Sequence, residues 1–199
     1  MLKTFTRGGI HPPENKLSSN AGIKVLPVPE VVSIPISQHL GVPAKPVVEK
    51  GDEVKVGQLI AESNGFISSN IHSSVSGKVL KIDKVPDSSG YKNDAIVINV
   101  EGDNWLESID RSNTVNENIT LSKEEIIKKI LETGIVGLGG ATFPSHVKCT
   151  IPRGKKAEYL IINGVECEPY LTADHVLMLE KGRELMVGIR ILMKALEVN

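Results

Sequence analysis

Two short stretches hold the residues best suited to chemistry. "GIVGLGGATFPSHVK", residues 134–148, packs four glycines into its first seven positions and then presents Phe143, Pro144 and Lys148. A glycine-dense backbone passes close to a ligand and exposes N–H groups that can hold phosphate. The familiar nucleotide signatures do not fit it. Thr142 stands where a dinucleotide fingerprint needs its third glycine, and no Gly-Lys-Ser/Thr follows for a Walker loop. The second stretch, "LIINGVECEPYLTADH" at 160–175, clusters Asn163, Glu166 and Glu168 within six residues after an expected strand, "AEYLIIN". Loops at the carboxyl ends of strands in α/β sheets are where ligands bind. Lys148 has the reach for a phosphate. The plain alternatives are a helix-to-loop corner for the glycines and solvated loop acids for the glutamates.

Other chemistries fit less well. Cys149, Cys167, His146 and His175 make no ligand pair at zinc spacing. Carboxylates on one short loop rarely have the separation a glycosidase needs. A formal charge of −1 offers no basic field for nucleic acid, and 4% aromatics are too sparse for stacking platforms. Two cysteines without a CxxC pair indicate a reducing compartment. The apolar runs "AIVINV" and "YLII" are strand-length, far short of the roughly 20 residues that span a bilayer, so a soluble protein is expected.

The elements that position these residues fall into two kinds. Prolines 27, 29, 35, 43 and 46 exclude helix and central strand from the first fifty residues, leaving extended edge segments such as "EVVSIPI". From Pro46, "KPVVEKGDEVKVGQLIAE", "FISSNIHSSVSGKVLKI" and "DAIVINVEG" read as short strands separated by glycine turns, a small barrel or sandwich. The polar stretch 102–120 reads as a linker. Ser122 and Glu125 then form a capping box before a helix with Ile126, Ile127, Ile130 and Leu131 on one face, stopped by Gly134. A further helix begins near Thr172, and a last one covers about 183–197 with Leu185, Met186, Ile189, Leu192, Met193 and Leu196 as its apolar stripe. One strand and a few helices bury such faces poorly, so the chain reads as the N-terminal part of something longer.

The pattern V-x-x-G-D-x-V-x-x-G-Q followed by S-x-x-x-G-K-V resembles the barrel-sandwich hybrid of biotinyl and lipoyl carriers. Carriers present a modified lysine at the hairpin tip. Here the tip is Gly65-Phe66-Ile67, so a structural or docking role replaces the carrier role. His72 reads as an ordinary barrel histidine.

With "GGIHPP", "ISQHLGVPAKPVVEKGDEVKVGQLIAE", "HSSVSGKV" and the two stretches above in order, the chain resembles the RnfC family of Rnf electron-transport complex proteins over nearly all its length. That resemblance implies a β-plus-α/β architecture. Residues 1–104 would be extended segments and a barrel-sandwich hybrid, 105–120 a linker, and 121–199 the first part of an FMN/NADH-binding α/β domain similar to the FMN subunit of respiratory complex I. It implies FMN and NAD(H) as cofactors, and two [4Fe–4S] clusters whose cysteines lie outside this chain. It implies that Gly137, Gly139, Gly140, Ala141, Phe143 and Lys148, with Asn163, Glu166 and Glu168, line the flavin and nicotinamide nucleotide. Leu138 stands where the complex I protein has arginine, and Val165 where it has an acid. The implied partners are the membrane subunits and a ferredoxin-like subunit of the complex, on the cytoplasmic face of the membrane, in a ferredoxin–NAD oxidoreductase coupled to Na⁺ or H⁺ translocation. A non-redox scaffold, related to a flavin-free subunit of the Na⁺-translocating NADH:quinone reductase, is the competing reading.

Overall fold

The computed structural model describes residues 12–87 and 90–198. Residues 8–11 of the "GGIHPP" stretch lie outside the described residues.

The first half is built from hairpins. Strands β1 (Val31–Pro35), β2 (Lys45–Pro46), β3 (Glu53–Val54), β4 (Leu59–Glu62), β5 (Ile71–His72), β6 (Gly77–Pro86) and β7 (Lys92–Val100) form two antiparallel sheets, ordered β1-β7-β6-β3 and β2-β4-β5. The proline-bearing β1 takes a sheet edge, where a missing donor costs no ladder bond. Strand β7 lies between β1 and β6, and its unbroken apolar run is buried throughout, Ala95 to Ile98. Ile60, Ile96 and Ile98 are fully buried at the centre of the core, packed with Val54, Val75 and Val79. Gly77 has φ +151°, and a Cβ there would fall on the Asn99 carbonyl, so β6 and β7 start their pairing only around a glycine. The beginning of the polar stretch packs onto this barrel. Val56 bridges Trp105, Leu106 N–H donates to Val56 O (3.1 Å), and Ile109 occupies the space a side chain at Gly57 would fill.

The second half is helical. Helix α1 (Lys123–Glu132) starts at the expected capping box: Glu125 N–H donates to Ser122 Oγ (3.3 Å), and Ser122 N–H to Glu125 Oε2 (2.7 Å). It stops where Gly134 turns left-handed at φ +70°. Helices α2 (Ser145–Cys149), α3 (Ala173–Glu180) and α4 (Gly182–Leu196) follow. Ile126, Ile130, Cys149 and Ala195 form a small core.

Two expectations need correction. The apolar stripe of α4 is only partly as expected: Leu192 and Leu196 pack on the small core together with Ile191 and the buried Ala195, while Met186, assigned to the stripe, is exposed. The stretch 157–163 is not a strand. A strand needs a neighbour for its ladder bonds, none among the described residues offers one, and Tyr159 and Ile161 are more than four-fifths exposed. The described part of this half therefore contains helices without a sheet.

Candidate functional site

The glycine stretch is a loop pinned at both ends. Val136 bridges Pro144 in antiparallel fashion, Gly137 N–H donates to Phe143 O (2.9 Å), and Ser145 N–H to Ile135 O (3.0 Å). Between those pins the backbone is bare. A Cβ at Gly139 or Gly140 would meet nothing within 4 Å, and Gly140 sits at φ +149°. Ala141 is exposed and Phe143 half-buried. Lys148, on α2, folds back over the loop so closely that a Cβ on Gly137 would lie 2.5 Å from its Nζ. The absent side chain at 137 is what lets a cation lie against the loop backbone.

The acidic stretch is an ordered turn. Asn163 Oδ1 accepts from Val165 N–H (3.0 Å), and Glu166 Oε1 accepts from His175 N–H (3.1 Å) in the first turn of α3. Glu166 thus supplies the N-terminal cap that Thr172 does not, a favourable place for a carboxylate beside the positive end of a helix. Glu168 is exposed, and its backbone carbonyl accepts from Lys16 Nζ (3.0 Å). Tyr170 is left-handed at φ +69°.

The two stretches meet. Cys167 Sγ lies 3.9 Å from Gly139 O, bringing the turn that carries Glu166 and Glu168 to the bare part of the glycine loop. The contact brings open backbone and the turn that carries Glu166 and Glu168 to one place, with Lys148 at the loop base: N–H groups suit phosphate or a ring edge, and carboxylates suit ribose hydroxyls. A Cβ at Gly139 or Gly140 would enter open space, so no neighbouring protein atom blocks the approach of a ligand such as a flavin nucleotide to this backbone. Among the described residues no group of His, Cys, Asp and Glu is arranged to hold a metal ion. Burial raises the Cys149 thiol pKa, partly offset by Lys148, which keeps that cysteine an inert core residue.

The barrel hairpin tip abuts the loop from beneath. Asn70 Nδ2 donates to Glu132 O (3.2 Å), and a Cβ on Gly134 would fall on the Asn70 carbonyl. Leu40 N–H donates to Thr142 O (3.3 Å). His146 is buried beside Phe66, whose backbone carbonyl accepts a hydrogen bond from its ring, while Nδ1 has no partner. His39 Nε2 accepts from Ser69 N–H (3.1 Å), which fixes the tip itself. A cavity of about 200 Å³, lined in part by His39, Asn70, His72 and Gly134, remains at this junction. Lys16, Leu40 and Asn70 carry no mark of this role in the sequence. The Glu132 carbonyl that Asn70 reaches and the two carbonyls that Lys16 reaches lie 62 to 155 residues away along the chain.

Fold and site together define a class: a barrel-sandwich hybrid whose hairpin tip, free of lysine, docks on a helical domain carrying a glycine loop and an acidic turn. The family model described as "RnfC Barrel sandwich hybrid domain" matches residues 4–103, and that described as "Nuo51 FMN-binding domain" matches residues 130–199. The chain belongs to the RnfC family of Rnf-complex proteins. It is 50% identical over 201 residues to the C subunit of the proton-translocating ferredoxin:NAD(+) oxidoreductase complex of Clostridium ljungdahlii, covering 100% of this chain and 43% of that protein. It is 45% identical over 195 residues to the Na(+)-translocating counterpart of Acetobacterium woodii, covering 97% and 43%. With the C subunit of the ion-translocating oxidoreductase complex of Rhodobacter capsulatus it shares 42% identity over 203 residues, 100% of this chain and 38% of the relative. The chain therefore spans about two-fifths of the length of these relatives.

Proposed function

We propose that this chain is the part of an ion-translocating ferredoxin:NAD(+) oxidoreductase subunit that binds FMN and meets NAD(H). The observation that carries the reading is the convergence of Cys167 on Gly139, which sets the acidic turn against an open glycine backbone. Gly137, Gly139, Gly140, Ala141 and Phe143 would line the flavin, with Lys148 placed for its phosphate. Asn163, Glu166 and Glu168 would face the nucleotide hydroxyls. When bound, the flavin supplies the hydride and single-electron chemistry, and the protein positions it. With Leu138 exposed and uncharged, and Val165 exposed in the acidic turn, NAD(H) binding relies on the remaining polar groups.

The rest of the reading concerns the longer relatives. Electrons pass between NAD(H), FMN and two [4Fe–4S] clusters held elsewhere in the full-length protein. That protein meets the membrane through partners: the membrane subunits and, on the cytoplasmic face, a ferredoxin-like subunit. Among the described residues no helix is long and apolar enough to cross a membrane. The division into 1–104, a linker at 105–120 and an α/β domain from 121 belongs to the same proposal.

Gly139→Val in the full-length protein tests the site. A Cβ there enters open space and meets no protein atom within 4 Å, and no positive φ opposes a side chain, so folding is spared. FMN affinity should fall at least about tenfold, about 1.4 kcal/mol, with the thermal unfolding profile unchanged. Wild-type affinity in the variant overturns the assignment of this loop.

A further inference from the structure

The segment 14–23 crosses the end of the acidic turn and helix α3, although it lies some 150 residues earlier in the chain. Glu14 O accepts from Tyr170 N–H (2.7 Å), and Asn15 Nδ2 donates to Tyr170 Oη (3.1 Å). Lys16 Nζ donates to two backbone carbonyls, Glu168 O (3.0 Å) and Leu171 O (2.9 Å). The Ser18 and Thr172 hydroxyls are 2.8 Å apart, and Ile23 N–H donates to Glu180 Oε1 (3.0 Å) at the far end of α3. The strap thus runs from the turn along the helix that follows it.

Lys16 is the centre of this strap. An ammonium has three donors and no acceptor, and a charge-assisted bond to a carbonyl is stronger than a neutral one. Two carbonyls three residues apart converge on one cation, closing the turn across Tyr170, whose left-handed φ of +69° a bulky residue adopts only when held.

We propose that Lys16 is a positioning residue for the flavin site: by holding the Glu168 and Leu171 carbonyls it sets the backbone that presents Glu166 and Glu168 to the nucleotide. This rests on the FMN reading above. It gives the N-terminal segment a role in a site formed by the other half of the molecule, with no contact to the ligand itself.

The test uses the full-length protein with Lys16→Met, which keeps the aliphatic stem, and Lys16→Arg, which keeps a cation able to donate to both carbonyls. Amide exchange over 163–172 and FMN titration by fluorescence quenching are measured together. In Lys16→Met, exchange in the turn should accelerate and FMN affinity should fall about tenfold, with the barrel amides unchanged. Lys16→Arg should restore most of both. Unaltered exchange in the turn overturns the proposal, as does faster exchange with wild-type FMN affinity, since Lys16 is then a tie without effect on the site. A wild-type protein that does not take up FMN overturns the flavin reading instead, an outcome visible before either variant is made.

Discussion

In the barrel, Ile60, Ile96 and Ile98 are wholly shielded from water, and the strands contributing to one core lie within about seventy residues of one another. In the helical half the core cluster among the described residues is Ile126, Ile130, Cys149 and Ala195, while Tyr159, Ile161, Val165 and Leu179 stand at least 70% exposed. The difference follows from how each architecture closes. Antiparallel hairpins pair neighbours in sequence, so each strand finds its partner locally. An α/β layer needs strands from distant parts of a chain, and among the described residues the segment rich in Tyr, Leu and Ile has no ladder to join. The candidate site lies where these two kinds of structure meet, and the barrel side supplies the fixed reference for it.

The largest test of that contrast is a pair of truncations. Ile96→Ala removes buried volume from a packed core and should cost about 2–5 kcal/mol of unfolding free energy. Ile161→Ala removes an exposed side chain and should change stability by less than about 0.5 kcal/mol. Urea unfolding of the two variants decides it. Equal losses would mean that residue 161 is covered and that the helical half closes as tightly as the barrel.

A smaller effect probes the junction. Gly134 combines a left-handed φ of +70° with close approach to the Asn70 carbonyl, so Gly134→Ala must both strain the backbone and push the hairpin tip away. A loss of about 1–3 kcal/mol is expected, with faster amide exchange at Thr142 and Asn70 and none in β6 and β7. If exchange rises throughout the barrel, the hairpin tip is part of the barrel's own stability rather than a separable support for the loop.

The sequence disclosed what local physics decides. The turn glycines of the barrel, the edge role of the Pro35 strand, the lysine-free hairpin tip and the Ser122–Glu125 box all depend on neighbours within a few residues. So did the glycine loop and the acidic turn as separate features. Their meeting at Gly139 and Cys167 was reached only through the family resemblance. Lys16 was not legible at all, since an exposed-looking lysine in a proline-rich leader gives no sign that its acceptors are Glu168 and Leu171. The strand expected at 157–163 failed for the complementary reason: its residues have strand character, but pairing depends on a partner that the stretch itself does not contain.

The finest distinction between the two regions is in their response to acid. Burial lowers the pKa of His146 at the junction and of His72 on β5 below the ordinary 6.5; at His146 the Phe66 backbone bond opposes this and His39 adds to it. A base with a lower pKa in the folded state stays neutral there while the unfolded chain takes up a proton, so the unfolded state binds more protons between the two values. Stability is then fully present above 6.5 and declines as the pH falls through 6.5 toward the folded-state values, levelling once the folded histidines are charged. The capping carboxylate of Glu125 titrates below its ordinary 4.5, so the interval from 6.5 to about 5 reports the histidines rather than the α1 cap. Urea midpoints should therefore fall modestly between pH 7.5 and 5.5, and amide exchange should localise part of the loss to residues 66–70 and 142–149. His146→Gln should remove the His146 share of that slope and leave the share from His72. An unchanged slope in the variant would show that His146 is as well solvated folded as unfolded, and that the hairpin tip does not seal the base of the loop.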